Sequence, residues 1–316
     1  MATRHDTRSA GDESGFSLVE VMVTTLILTT VSAVTITGVL NLTQLNETVT
    51  NRTQMFAGVR NATALLEQEV GQAGRVVLPA PVFLAGAVAA GVNTVNVTSA
   101  AGMFVGEQLV IGAGTVAETV TVTALAGTAI TATFLNNHAA NEPVMVQGGF
   151  AAGVVPPEDA DGNVDPDGSS GTVLKIFGDI NGTGNMVYVE YTCDIANARL
   201  YRDQMAWNAD ADDKAKPGVE QILVENIQPN PNNTPCFTYQ TKVVNNDVFV
   251  IGVAITLTVE SQEEDPITGE FQRESKALLN VAPRNVYNAW QLASLDIDNR
   301  VQPMPQEIKD LLPAVP

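Results

Sequence analysis

Between Glu20 and Glu47 lie 26 consecutive residues without a charged side chain, from Val21-Met22-Val23 through Leu40-Asn41-Leu42. About 20 apolar residues in a helix cross the hydrocarbon core of a bilayer, so the run is long enough to span one. A secretory signal peptide would have a shorter apolar run and a small-residue exit of the A-x-A type. A globular core helix seldom goes so far without a charged face. Thr24, Thr25, Thr29, Thr30, Thr35 and Thr37 dilute the apolar character, yet in a helix each hydroxyl can bond back to a carbonyl one turn earlier. The segment is therefore read as a membrane helix. Positive charge does not orient it, because Arg4 and Arg8 precede the span and Arg52 and Arg60 follow it.

Immediately before the span stands Gly15-Phe16-Ser17-Leu18-Val19-Glu20: a small residue, an aromatic, a short apolar run and a carboxylate at the mouth of the apolar stretch. This resembles the processing site of the type IV prepilins. The resemblance implies that residues 1–15 are a leader, and that prepilin peptidase cuts between Gly15 and Phe16 and methylates the new N-terminus. A carboxylate in an apolar zone is costly unless paired. In that family the glutamate, here Glu20, pairs with the N-terminal amine of a neighbouring subunit as the filament grows. The plainer alternative is that Glu20 sits at the headgroup level.

Apolar positions continue beyond the span at helical spacing through Leu45, Val49, Phe56, Val59, Ala62, Leu65, Leu66 and Val70. The helix should run to about Gly71, where Gly71-Gln72-Ala73-Gly74 supplies a stop. Some 55 residues at 1.5 Å rise would make it roughly 80 Å long. Residues 16–75 are thus read as a transmembrane and assembly helix, half in the membrane and half packed on a soluble head.

Charge marks the next boundary. The 316-residue chain holds 35 acidic and 16 basic residues, a formal net charge of -19. That balance argues against general nucleic-acid binding, which needs clustered Lys and Arg. From Val76 through Leu174 there is no Lys or Arg, while Glu107, Glu118, Glu142, Glu158, Asp159, Asp161, Asp165 and Asp167 supply eight acids. Alternating stretches at 94–97, 108–111, 118–122, 128–132 and 143–146 are separated by Gly and Asn at nearly regular spacing. They predict a small barrel or sandwich over 76–150, inserted into the head. Its expected role is a spacer or decoration, and it weakly resembles β-modules appended to bacterial surface proteins.

Residues 151–170 form an acidic Pro/Gly linker in which Asp159, Asp161, Asn163 and Asp165 alternate like calcium-loop ligands, with Asp167 close behind. Val164 stands where such a loop needs glycine and Ser170 where it needs glutamate, so the helix-loop-helix calcium motif fails. A solvated turn is the reading, with a looser calcium site as the alternative. No other cofactor is expected.

From Gly171 the chain reads as an antiparallel sheet packed on the helix, with strands at 172–177, 186–191, 199–202, 248–259 and 276–281. The fold class is α+β. The order of Gln72-Ala73-Gly74-Arg75, Leu200-Tyr201-Arg202, Ile222-Leu223-Val224-Glu225-Asn226 and Pro283-Arg284-Asn285 resembles the PilW-type minor pilins and the J-type pseudopilins of type II secretion. This resemblance covers Gly15 to about Asn285 apart from the insertion and makes 171–286 a pilin-like β head. For an exported head, Cys193 and Cys236 are expected to form a disulfide, since neither lies in a metal or CxxC spacing. Closing that loop would stabilise the head by about 4 kcal/mol in the chain-entropy model. Two buried free thiols are the alternative.

Residues 287–316 form a tail, expected to dock on a neighbouring subunit or stay loose. With His5 in the leader, only His138 remains, and it is read as a polar loop residue rather than a catalyst. No GxSxG, Walker A, HExxH or CxxC pattern occurs. The expectation is a non-enzymatic minor pilin or pseudopilin with prepilin peptidase, other pilin subunits and the inner membrane as partners. It would be a single-pass protein with a periplasmic head, later displayed on a pilus or the cell surface. The alternatives are a surface adhesin that works through the 76–150 module and a DNA-uptake pilin.

Overall fold

A computed structural model of the chain describes residues 15–215 and 220–313. The first helix, α1 (Leu18–Gln72), is 55 residues long. Its two halves meet different surroundings. From Leu18 to Val49 its large apolar side chains are exposed. Beyond them Val59, Ala62, Leu66 and Val70, spaced by three or four residues, form one buried stripe. Gly74 then takes a φ of +80°, where glycine alone is unstrained, and ends the helical path.

Strands β1 (Val82–Phe83), β2 (Gly91–Asn96), β3 (Gln108–Ile111), β4 (Glu118–Thr121), β5 (Ala124–Ala126), β6 (Ala129–Phe134) and β7 (Pro143–Val146) form two antiparallel sheets, ordered β1-β7-β3-β4 and β2-β6-β5. Inward residues of both sheets, among them Val95, Leu109, Ile111, Val120, Ile130, Phe134 and Val144, share a core drawn from this stretch alone.

The chain leaves through β8 (Gly149–Phe150) beside the point where it entered. Arg75 and Gly149 form a bridge, and the Phe150 N–H donates to the Gly74 carbonyl at 2.9 Å. Backbones touch here: a Cβ on Gly153 would lie 2.1 Å from the Gly74 Cα.

The head contains two four-stranded antiparallel sheets rather than one. The first is β9 (Val173–Gly178), β10 (Val187–Asp194), β11 (Arg199–Ala206) and β12 (Glu220–Glu225). The second joins β13 (Ile227–Gln228), β14 (Phe237–Val244), β15 (Asp247–Glu264) and β16 (Phe271–Val281). The chain passes between them at Asn226, whose φ of +59° turns the strand sharply. Asparagine tolerates that conformation better than most residues. The α1 stripe packs against both sheets in a core with Val189, Tyr191, Leu200, Val253, Ile255 and Leu257.

The tail docks on its own chain. Helix α2 (Arg284–Ala293) buries Val286 and Ala289, and β17 (Val301–Gln302) pairs in parallel with β8. Helix α3 (Gln306–Leu311) buries Ile308 and Leu311 beside Phe104, Phe150, Tyr188 and Trp207. Two lysines hold its end: Lys214 donates to the Leu311 carbonyl at 2.8 Å and Lys175 to that of Leu312. As far as Pro313 this segment is therefore not loose: the apolar face of α3 covers an aromatic cluster on the same molecule, while Leu295 stays 70% exposed.

Candidate processing and assembly segment

Ser17 positions the N-terminal end of α1. In extended conformation it caps the helix, and its hydroxyl accepts the Glu20 N–H at 3.2 Å. The Ser17-Leu18-Val19-Glu20 order is the serine-x-x-glutamate signature of a capped helix start, a signal that pattern reading passed over. Glu20 lies in the first turn, where a negative charge is favoured by the helix dipole. It is exposed, and among the described residues it has no side-chain hydrogen bond or ion pair. Gly15 has open space where a Cβ would stand, and Phe16 is 80% exposed. The Gly15–Phe16 bond thus lies just outside the helix and is sterically accessible. Residues 1–14 of the expected leader, including Arg4 and Arg8, lie outside the described residues, as do 314–316.

Behind this end, α1 is the one described helix long and apolar enough to cross a membrane, and its most apolar window has no residue buried by the rest of the chain. The threonine hydroxyls turn inward. Thr24 donates to Glu20 O at 2.8 Å, Thr25 to Val21 O at 2.9 Å, Thr29 to Thr25 O at 2.9 Å, Thr35 to Val31 O at 2.8 Å and Thr37 to Ala33 O at 2.8 Å. Thr30 bonds to Leu26 O in the same way. Each of these threonine hydroxyls is satisfied within the helix, as a hydrocarbon surrounding requires.

In the linker the acidic side chains serve its own turns. Asp159 Oδ1 accepts the N–H groups of Asp161 at 3.0 Å and Asn163 at 2.8 Å, and Asp165 Oδ1 accepts that of Asp167 at 3.0 Å. The Asn163 amide bonds hold the Asp159 carboxyl below its ordinary pKa. Among the described residues, no three carboxylate, imidazole or thiol side chains gather into a metal-binding group.

Cys193 at the end of β10 and Cys236 just before β14 are joined in a disulfide, Cα–Cα 6.5 Å, that ties the two head sheets together. His138 lies in the loop between β6 and β7, as expected of a polar loop residue, but it is buried. Its ring is fully buried between two carboxylates, Nε2 at 2.6 Å from Glu118 Oε1 and Nδ1 at 2.7 Å from Glu142 Oε2. Pairing of β4 and β7 on either side of β3 brings those two acids together. Burial opposes the imidazolium, but its bonds to Glu118 and Glu142 outweigh that and raise its pKa. Held in this way, the His138 ring favours its charged form, in a stretch that has no Lys or Arg.

No protein family, curated protein or solved structure matches the chain.

Proposed function

We propose that the chain is a minor pilin or pseudopilin, a non-enzymatic subunit that helps assemble or prime a type IV pilus-like filament after prepilin peptidase has cut it and methylated Phe16. The observation that carries this reading is α1 itself. One continuous helix has an N-terminal half apolar on every side and uncovered, and a C-terminal half built into an antiparallel head. A globular protein does not keep such a surface in water. A filament subunit covers it twice, with lipid before assembly and with neighbouring helices afterwards. Glu20 beside the expected amine of Phe16 is then the ionic contact made on assembly. Before extraction the head lies in the periplasm; afterwards the subunit is on the pilus or cell surface.

Substituting Glu20→Ala should leave processing and membrane insertion intact and abolish entry into the filament. Full incorporation of this variant would contradict the assembly role. Deleting the gene and scoring pili, secretion and transformation separately separates a PilW-type subunit, a J-type pseudopilin and a DNA-uptake pilin.

A second reading has its own support. The 82–146 stretch has a private core, and its entry and exit strands are adjacent, as in a unit inserted into a host fold. On that reading the protein is a surface adhesin or binding module held by a pilin-like helix. Excision of 76–148 with pilus assembly retained and surface attachment lost would favour it.

A further inference from the structure

The β15–β16 hairpin reaches back along α1 toward the apolar span, and its tip is fastened there. Asp265, buried at the turn, accepts the Thr48 hydroxyl at 2.9 Å and the Ile267 N–H at 2.9 Å. The Gly269 N–H closes the turn on the Asp265 carbonyl at 2.7 Å. One step up the helix, Arg52 Nε donates to Gln272 Oε1 at 2.8 Å. Beyond these ties Ile267 is 56% exposed.

We propose that the hairpin tip is a membrane foot: Ile267 seats in the outer headgroup layer of the bilayer that α1 crosses, and fixes the height of the head above it. This rests on reading α1 as a membrane span. About 20 residues from Val21 fill the hydrocarbon and end near Leu40. Thr48 then stands about 12 Å of helix rise above that edge. Strand β15 descends past Met55 and Asn51 to Asp265. Ile267 lies two residues further on, inside the turn, a reach of at most about 6.6 Å. That leaves it between about 5 and 12 Å from the hydrocarbon, a range whose near part is the headgroup layer. Around the tip Glu47, Glu263, Glu264 and Glu270 are exposed. Of the nearby cations, Arg273 is engaged with Glu260 and Arg52 with Gln272. An acidic rim around an apolar residue suits zwitterionic headgroups, whose ammonium groups can meet the carboxylates, better than anionic lipid.

The two native cysteines are bonded to each other, so one introduced cysteine is a unique labelling site. Full-length protein carrying a nitroxide at Ile267→Cys, in vesicles of phosphatidylcholine and phosphatidylethanolamine, reports depth through its accessibility to oxygen and to an aqueous nickel complex. Val34→Cys marks the bilayer interior and Val243→Cys, at the far end of the β14–β15 ladder, marks water. The expected result places Ile267 at headgroup depth between the two. Accessibility equal to that of Val243, with Val34 protected, would overturn the foot and leave the span standing. If Val34 were also open to water, span and foot would fall together. Spin–spin broadening at Ile267, showing a second copy over the tip, would overturn the lipid as occupant.

Discussion

Glu69 of α1 and Arg202 of β11 form a buried two-point ion pair across 133 residues of sequence, with Nη2–Oε1 at 2.6 Å and Nε–Oε2 at 3.1 Å. The Tyr191 hydroxyl also donates to Glu69 Oε2. The pair fixes the angular position of α1 on the head, because Glu69 must face the sheet for the fork to close. Removing one partner from a buried pair costs about 3–5 kcal/mol, whereas replacing both with apolar residues is often neutral. Arg202→Met should therefore lower unfolding stability by that amount in detergent-solubilised protein. Adding Glu69→Leu and Tyr191→Phe should recover most of it. A loss as large in the triple variant as in Arg202→Met alone would show that the pair is not what matters there.

The Glu118–His138–Glu142 cluster makes the module's stability depend on pH. The folded state holds the His138 proton more tightly than the unfolded chain, whose value is near 6.5. This contribution is complete below about pH 6.5 and is lost as pH rises through the higher folded value. Both carboxyls are shifted the other way. For Glu118, bonds from His138 and from the Asn136 and Leu135 amides overcome burial; for Glu142, the Ala139 amide acts first and His138 second. Their share fades as pH falls below about 4.5. The cluster should be tightest between those limits. Hydrogen exchange at the Leu135 and Asn136 amides, both of which donate to Glu118, should quicken above about pH 6.5. In His138→Phe those amides should exchange fast throughout the range. Unchanged protection across the range in the native chain would refute the imidazolium.

Glu107 carries a separate pH signature. It is fully buried, and burial pushes its carboxyl up to about 8 against the opposing Phe104 N–H. From about pH 4.5 to 8 the folded state keeps a proton that the unfolded chain releases, so stability falls with pH across that window. Glu107→Gln removes this slope. Denaturation midpoints of the two proteins should converge near pH 4.5 and diverge steadily toward pH 8, with the variant higher. Parallel curves would mean that Glu107 ionises normally.

What could be read in the sequence, and what could not, follows from the range of each signal. The helix stop at Gly74 and strands β3, β4 and β7 lie where local pattern puts them, because each depends on a few adjacent residues. The lower half of the β15–β16 hairpin escaped, since residues 260–275 are almost wholly polar and give no alternation. The Asp265-Pro266-Ile267-Thr268-Gly269 turn was the available clue. The burial of His138 could not be read, because one of its partners, Glu118, lies 20 residues away in sequence, which no local pattern reports. Glu69 could have been found: it lies three residues beyond Leu66 on the apolar stripe, and a charge there needs a partner. In the candidate segment, Gly15, Phe16 and Glu20 stood out as a motif, whereas the capping role of Ser17 was spelled in the same letters and missed.

On the pilin reading, Phe16 is the N-terminus of the mature protein. Membranes and sheared filaments from cells making the native chain should be analysed by mass spectrometry of the N-terminal peptide. The expected peptide begins at Phe16 with a methylated amine, and a Gly15→Val variant should leave the chain unprocessed. A mature chain that keeps residues 1–15, or one cut beyond α1 with the span removed, would contradict it.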